Sequence, residues 1–186
     1  MIRVLAFVAA VFFAIPALAQ PLPAKLDKAN AIVIDSTQGR IVIALRTDIA
    51  PKHAERLKQL TREGFYNNVP FHRVMDGFMA QTGDGQKGDG TGGSKYPNLT
   101  QEFSSTPFKR GMVGMARRGD SVDSANSQFF ICLGDASFLN NQYTVIGEVT
   151  SGLDVLDKIK KGSSAQNGAV QNPDKIVRMR LAADAK

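Results

Sequence analysis

The run Phe71-His72-Arg73-Val74-Met75-Asp76-Gly77-Phe78-Met79-Ala80-Gln81-Thr82-Gly83-Asp84 decides how the chain is interpreted. Two short segments rich in aromatic and apolar residues flank Asp76-Gly77, a dipeptide that favours a tight hairpin turn because glycine accepts a positive φ at little cost. The sequence therefore predicts two adjacent antiparallel strands. This hairpin would hold one arginine, Arg73, beside two large apolar side chains and the amide of Gln81.

The segments on either side predict further strands and two helices. β-Branched and apolar runs indicate strands at residues 31–35, 40–45, 111–116, 127–133, 143–149 and 175–181, in addition to the two strands of the central hairpin. Pro51 precedes an amphipathic helix at residues 52–63, and apolar residues spaced by three from Leu153 indicate a second, short helix. The glycine-rich residues 83–93 and the polar residues 117–126 are typical of surface loops.

The order of these elements favours one fold class. Strands and helices do not alternate, which argues against a parallel α/β sheet. The first two predicted strands are apolar on both faces, as expected for strands with a core on one side and a helix on the other. We therefore predict a mostly β protein, built as a closed eight-stranded antiparallel β-barrel capped by two α-helices.

The first 19 residues have the pattern of a secretory signal peptide. Arg3 precedes an apolar run at residues 4–14, and Ala17-Leu18-Ala19 has the small-x-small pattern of a signal-peptidase site. We predict cleavage after Ala19, a flexible leader at residues 20–29 and one domain at residues 30–182. A retained membrane anchor is the weaker alternative, because the run is short for a hydrocarbon layer of about 30 Å. The mature protein is therefore expected in the periplasm, with no membrane partner after cleavage.

Composition weakens several function classes. The formal net charge of +6 becomes +5 after cleavage, because residues 1–19 contain one arginine and no acid, and the basic residues are scattered. A nucleic-acid binder usually concentrates its basic residues on one face, so we expect no nucleic-acid partner. Cys132 is the only cysteine, which excludes an internal disulfide, and a buried, inert thiol is its expected state. With only two histidines in the chain, we predict no metal site and no cofactor.

Two separate motifs carry a family resemblance. Phe71-His72-Arg73 in the central hairpin and Ser127-Gln128-Phe129-Phe130-Ile131 in a later strand occur in the order typical of the cyclophilins. Over about residues 30–181 the chain closely resembles this family of peptidyl-prolyl cis-trans isomerases. The resemblance implies a barrel with a helix over each open end, and an enzyme that acts on proline-containing unfolded or partly folded polypeptides. We expect it to work as a monomer.

The resemblance also implies roles for individual residues. Arg73 matches the essential arginine, and Gln81 matches the amide that helps to hold this arginine and the substrate backbone. The positions that match the proline pocket or its surroundings are His72, Phe78, Met79, Ala116, Arg117, Gln128, Phe130, Phe138, Leu139 and Tyr143. Taken alone, each phenylalanine or methionine would be an ordinary core residue, and the joint occurrence of the two motifs favours the pocket.

Three positions depart from the pattern of many eukaryotic cyclophilins. Phe138 stands where that pattern has a tryptophan, Tyr143 where it has a histidine and Arg117 where it has an asparagine. Because the tryptophan contributes to cyclosporin binding in the family, we expect weak inhibition by cyclosporin here. The arginine at position 117 and the longer loop before Gln128 resemble the bacterial branch of the family.

The predicted chemistry breaks no covalent bond. Rotation about an X-Pro bond is opposed by a barrier of about 18–20 kcal/mol, because the amide loses its resonance. A guanidinium keeps its proton near neutral pH, so Arg73 can donate a hydrogen bond to the prolyl nitrogen of the twisted amide. We predict an isomerase for exported proteins. Two alternatives stay open, a proline-peptide scaffold or holdase without turnover and a basic barrel that binds nucleic acid.

Overall fold

The structure is a computed structural model that describes residues 22–185. The predicted signal peptide and the cleavage site after Ala19 lie outside the described residues. At the start of the described chain, the partly buried Leu22 and Leu26 pack against a small cluster that includes Ala31. Among residues 22–185, no helix combines the length and the apolar character that crossing a bilayer requires.

Within the described chain, nine strands form one antiparallel sheet. They are β1 (Ala31–Ser36), β2 (Gly39–Leu45), β3 (Val69–Pro70), β4 (Arg73–Met75), β5 (Met79–Thr82), β6 (Met112–Met115), β7 (Phe129–Cys132), β8 (Val145–Ser151) and β9 (Lys175–Leu181). Their spatial order is β3-β9-β1-β2-β8-β6-β7-β5-β4, and each neighbouring pair is antiparallel. The predicted mostly β class and its antiparallel pairing are confirmed.

The predicted closed eight-stranded barrel is wrong. The sheet is an open, curled half-barrel of nine strands, and in the described chain its terminal strands β3 and β4 do not pair with each other. β3 is two residues long and ends in Pro70, which has no N–H to donate to a neighbouring strand. Residues 162–170 lie along the other edge of β4 instead. Val74 donates its N–H to the Gly168 carbonyl at 2.8 Å, and the Val74 carbonyl accepts from the Gly162 N–H at 2.9 Å. Irregular backbone therefore takes the place of the strand that would close the barrel.

The hairpin of β1 and β2 confirms the prediction from its turn sequence. Ser36 pairs with Gly39 across the turn, and the Ser36 hydroxyl donates to the Gly39 carbonyl at 2.8 Å. All six residues of β1 are buried, because the strand lies inside the sheet between β2 and β9. Burial on both faces explains why its sequence shows no alternation of polar and apolar residues.

Both predicted helices are confirmed. α1 (Pro51–Arg62) begins at a proline, which suits the first helical turn because the missing N–H needs no partner there. The Glu102 carboxylate accepts a hydrogen bond from the backbone N–H of His53 at 3.1 Å and lies 2.6 Å from its Nδ1, so it caps the start of α1. α1 packs on β9 and β8, whereas α2 (Leu153–Lys158) packs on β2.

A small second core lies beside the main one. The main core contains buried side chains of β1, β2 and α1, and the second core contains Met79, Phe130, Cys132 and Leu139. Cys132 is fully buried, and burial raises the pKa of its thiol to about 12, with the charge of Asp135 acting in the same direction. The prediction of a buried thiol is confirmed, and a thiol with such a pKa is unreactive near neutral pH.

Candidate active site

The hairpin of β4 and β5 places Arg73 directly opposite Gln81. Its turn, Asp76-Gly77, has a positive φ of 67° at the glycine, as the dipeptide predicts. Because side chains alternate along a strand, Arg73 and Gln81 share one face of the hairpin while Val74 and Ala80 are buried on the other. The predicted arrangement of an arginine and an amide on adjacent antiparallel strands is confirmed.

Phe130 completes this face from the neighbouring strand β7, where it pairs with Gln81. Its ring stacks on Phe108 with the ring centroids 5.6 Å apart, and Gly114 on β6 lies opposite it. A Cβ at position 114 would lie 2.5 Å from Phe130 Cζ and 2.7 Å from Phe108 Cε1. The position of the Phe130 ring therefore depends on a residue without a side chain at 114.

A cavity of about 90 Å³, which we name the apolar notch, opens beside Arg73. Its lining consists of Phe78, Met79, Phe130, Leu139 and Tyr143, completed by Arg73, Gln81, Ala116 and Arg117. One buried water needs about 10–15 Å³ on a comparable measure, so the notch can accept a small ring. Met79, Phe130 and Leu139 are between 1% and 7% exposed. We call these three buried apolar side chains the floor of the notch.

The Arg73 guanidinium is held by uncharged partners. Nε donates to the backbone carbonyl of Asn167 at 2.9 Å, and Nη2 donates to the side-chain oxygen of the same residue at 2.9 Å. Nη1 donates to Gln81 Oε1 at 3.2 Å, and Nη2 also contacts Met75 Sδ at 3.3 Å. Burial lowers the pKa of Arg73, with Tyr143 acting in the opposite direction, yet an arginine stays charged near neutral pH. The site thus contains an oriented cation without a carboxylate beside it.

Gln81 links the arginine to a neighbouring loop. Its Nε2 donates to Gln128 Oε1 at 2.9 Å. Gln128 Nε2 in turn donates to the carbonyls of Gly90 and Gly92 at 2.9 and 2.8 Å. The orientation of the Gln81 amide is therefore set by residues on both of its sides.

The loop at residues 83–93 is ordered around a buried carboxylate, Asp84, which is 1% exposed. Its Oδ1 accepts hydrogen bonds from the backbone N–H groups of Gln86 and Lys87, and its Oδ2 accepts from those of Gly90 and Gly92. Burial alone would raise the pKa of Asp84, but these backbone donors outweigh it and lower the pKa to about 2. The predicted loop is confirmed, and Asp84 fixes the two carbonyls that hold Gln128.

Three predicted residues lie outside the lining of the notch. His72 is partly buried behind the loop, where a Cβ on Gly90 would come within 2.9 Å of its Nε2. Gln128 acts through Gln81 and lines a neighbouring cavity. Phe138 is 61% exposed at the rim, with its ring centroid 5.2 Å from that of Phe78. The other nine predicted residues are brought together in the notch.

Arg117 forms one side of the notch. Its Nε donates to the Gln142 carbonyl at 3.0 Å, and Nη1 donates to the Arg118 carbonyl at 2.9 Å. The guanidinium carbon lies 4.6 Å from the centroid of the Tyr143 ring, whose other contact is an edge-to-face packing on Phe130. A second oriented cation therefore lines the notch.

A larger cavity of about 270 Å³ adjoins the notch and shares Gln81, Ala116 and Arg117 with it. The rest of its lining is polar or glycine-rich and includes Asn98, Arg118, Asn126 and Gln128. Because the two cavities share these lining residues, an extended chain with a ring in the notch can continue into the larger cavity.

Asn167 contacts Arg73 in the candidate site and was missed by the sequence analysis. It has a left-handed backbone with φ of 53°, which orients both of its oxygens toward Arg73. The dipeptide Asn167-Gly168 is a turn signal, and it could have marked this position as structured. Nothing local in the sequence indicates that the turn contacts an arginine 94 residues away.

The described residues offer no evident metal centre. Within residues 22–185, no group of three or more His, Cys, Asp or Glu side chains is placed to hold a metal ion. The chemistry of the site must be argued from its guanidinium groups, its amides and its apolar floor.

Comparison with known proteins identifies the family. The family model for cyclophilin-type peptidyl-prolyl cis-trans isomerases matches residues 31–181. A Brucella suis protein with the name "probable peptidyl-prolyl cis-trans isomerase" is 51% identical, with 97% of each chain covered. Peptidyl-prolyl cis-trans isomerase B of Escherichia coli is 36% identical, with 77% of this chain and 92% of that protein covered.

Solved structures show the same fold. The crystal structure of cyclophilin AquaCyp293 from Hirschia baltica superimposes with a TM-score of 0.77 at 25% identity, covering 87% of this chain and 77% of that one. A Cryptosporidium parvum cyclophilin-type isomerase, crystallised in the presence of the dipeptide Ala-Pro, has a TM-score of 0.75 at 24% identity, covering 81% and 98%.

The fold, the apolar notch beside an oriented arginine and the match over residues 31–181 have one explanation. This chain belongs to the cyclophilin family, and it is a peptidyl-prolyl cis-trans isomerase.

Proposed function

We propose that Arg73 accelerates rotation about X-Pro bonds in exported proteins by donating a hydrogen bond to the prolyl nitrogen of the twisted amide. The nitrogen of a planar amide is a poor acceptor, because its lone pair takes part in resonance. At the top of the barrier the nitrogen is pyramidal and can accept. A donor that interacts more strongly with the twisted amide than with the planar one lowers the barrier.

One observation carries this proposal. A guanidinium has five N–H groups, and the contacts with Asn167, Gln81 and Met75 use four of those on Arg73. Within residues 22–185, the fifth, on Nη1, has no hydrogen-bond acceptor, and Arg73 lines the notch, which supports a hydrogen bond from this group to a bound substrate. Because the partners of Arg73 are uncharged, its positive charge is not neutralised locally.

The notch supplies the other half of the mechanism. A proline ring against Met79, Phe130 and Leu139 would be held still and away from water, while the peptide group on its N-terminal side turns. A rate acceleration of about 10⁵ requires the barrier to fall by about 7 kcal/mol. Preorganised hydrogen-bond donors in a site that partly excludes water can supply a large share of this reduction of the barrier.

Two observations support the proposed substrate class. The Ala-Pro dipeptide present with the Cryptosporidium relative supports a proline-containing peptide as the ligand of the notch. Signal-peptide features at residues 1–19 support substrates among exported proteins in the periplasm, where slow X-Pro isomerisation can limit folding. Cell fractionation together with the mass of the mature protein tests the location, since cleavage after Ala19 predicts one defined mass.

A protease-coupled assay on an Ala-Pro peptide tests the activity. We expect turnover by the wild-type protein and a loss of about 10²–10³ in the Arg73→Ala variant, comparable to the removal of one preorganised donor elsewhere. Arg46→Gln is a suitable control, because Arg46 pairs with the exposed Asp48 and lines neither cavity. Peptide binding without turnover by the wild-type protein would favour a scaffold, and unchanged turnover in Arg73→Ala would remove the mechanism.

A further inference from the structure

Arg117 is a preorganised cation that the rotation mechanism does not use. Its guanidinium is held by the backbone carbonyls of Gln142 and Arg118 and by the face of the Tyr143 ring. None of these partners carries a formal negative charge, and no ion pair of Arg117 is found within residues 22–185. The conformation of the side chain is therefore restricted, and its charge is available to pair with an acidic group of a substrate.

The surroundings of Arg117 are positively charged. Arg73 and Arg117 line the notch, and Arg117 and Arg118 line the larger cavity. Among the described lining residues of both cavities there is no Asp or Glu. Asp120 pairs with the neighbouring, exposed Arg118 at 2.9 Å and not with Arg117. A substrate that brings a carboxylate beside Arg117 would meet a cation that no ion pair within residues 22–185 offsets.

The geometry indicates which part of a substrate passes Arg117. The peptide group that rotates must face Arg73 and Gln81, because these residues hold the donor and the amide of the site. Gln81 lines both cavities. In the proposed mechanism, the peptide group that rotates lies on the N-terminal side of the proline. The residues that precede the proline therefore run from the notch past Arg117 into the larger cavity.

We propose that Arg117 is a specificity-determining residue that favours substrates with Asp or Glu one or two positions before the proline. This inference rests on the proposed function, since it uses the proline notch to orient the peptide. A charge-assisted hydrogen bond to a partly exposed arginine is expected to favour a glutamate peptide over its isosteric glutamine peptide by about threefold to tenfold. A lysine peptide is disfavoured relative to the glutamine peptide.

Two peptide series test the proposal, Xaa-Ala-Pro-Phe and Ala-Xaa-Pro-Phe, with Glu, Gln or Lys at Xaa. Isomerisation followed by NMR exchange needs no protease, so protease preference does not enter the result. The ratio of kcat/KM for the Glu and Gln peptides is measured in the wild type, in Arg117→Gln and in Arg46→Gln. Arg46→Gln removes the same charge at a partly exposed position outside both cavities. Peptide Kd values from NMR titration give the same ratio independently of turnover.

The wild-type ratio is expected to be about threefold to tenfold in at least one series, and to fall toward one in Arg117→Gln but not in Arg46→Gln. It should also fall toward one in about 1 M salt, where the screening length is about 3 Å. A wild-type ratio of one in both series, or an equal fall in both variants, would overturn the proposal. Loss of turnover on all peptides would contradict the proposed function instead, and the Kd ratio would still decide the role of Arg117.

Discussion

Asn167 holds Arg73 through two atoms at once. Its backbone carbonyl accepts from Arg73 Nε and its side-chain oxygen accepts from Nη2, both at 2.9 Å. This pair of contacts resembles a bidentate carboxylate grip in geometry but adds no negative charge. The arginine is therefore oriented without being neutralised, which is the property that a donor to a weak acceptor requires.

The variant Asn167→Gly distinguishes the backbone contact of residue 167 with Arg73 from its side-chain contact. Glycine accepts the left-handed backbone with φ of 53° and keeps the carbonyl, so only the side-chain oxygen is lost. We expect kcat/KM to fall by about tenfold, because one charged hydrogen bond that orients the donor is removed. The NMR signal of Arg73 Nε–H should persist, since its acceptor remains. Unchanged kcat/KM would show that the side chain of Asn167 has no part in positioning.

Asp84→Asn tests the path from the loop to the site. An amide accepts fewer hydrogen bonds than a carboxylate, so the backbone N–H groups of Gly90 and Gly92 lose their partner in part. We expect a loss of about 1–3 kcal/mol in the free energy of unfolding and faster hydrogen exchange in residues 84–93. Asp89→Asn is the matched control, because Asp89 is exposed and its hydrogen bonds within residues 22–185 go to Thr91 alone. Equal effects of the two variants would contradict the role given to Asp84.

Acid should remove the contribution of Asp84 to stability. Its pKa falls from an ordinary value of 3.8 to about 2 on folding, so the folded state favours the ionised form. The contribution, about 2 kcal/mol, is fully present above pH 4 and is lost as the pH falls through about 2. Urea unfolding of the wild type and of Asp84→Asn should therefore give midpoints that differ at pH 6 and converge toward pH 2. Midpoints that stay equally far apart at both pH values would count against this linkage.

Gly114→Ala tests the floor of the notch. The new Cβ would overlap Phe130 and Phe108, so the rings must move, at a cost of about 1–3 kcal/mol in stability. Because Phe130 lines the notch, KM for a proline peptide should rise as well. Gly119→Ala is the control, since a Cβ there would have no neighbour within 4 Å. If KM stays unchanged while stability falls, the ring position is not important for binding.

The sequence predicted those parts of the molecule that depend on local patterns. The turn at Asp76-Gly77 and its two flanking segments placed Arg73 beside Gln81, and the hairpin is present. Phe130 was assigned from its motif, and it lies on the neighbouring strand. These predictions needed only turn chemistry and two motifs.

The parts that failed depend on contacts between distant segments. Closure of the barrel requires β3 and β4 to meet, and residues 162–170 occupy the edge of β4 instead. Phe138 and His72 lie outside the lining of the notch, and their assignment to substrate binding stays a prediction. Asn167 was missed because its partner lies 94 residues earlier.

The central claim is that Arg73 interacts more strongly with the twisted amide than with the planar one. The most direct test measures kcat and the substrate Kd of Arg73→Ala and of the wild type on one Ala-Pro peptide, by NMR exchange and NMR titration. The account predicts that kcat falls by about 10²–10³ while Kd changes by less than about threefold, because the lost interaction exists mainly in the transition state. A fall in affinity as large as the fall in turnover, or an unchanged kcat, would contradict it.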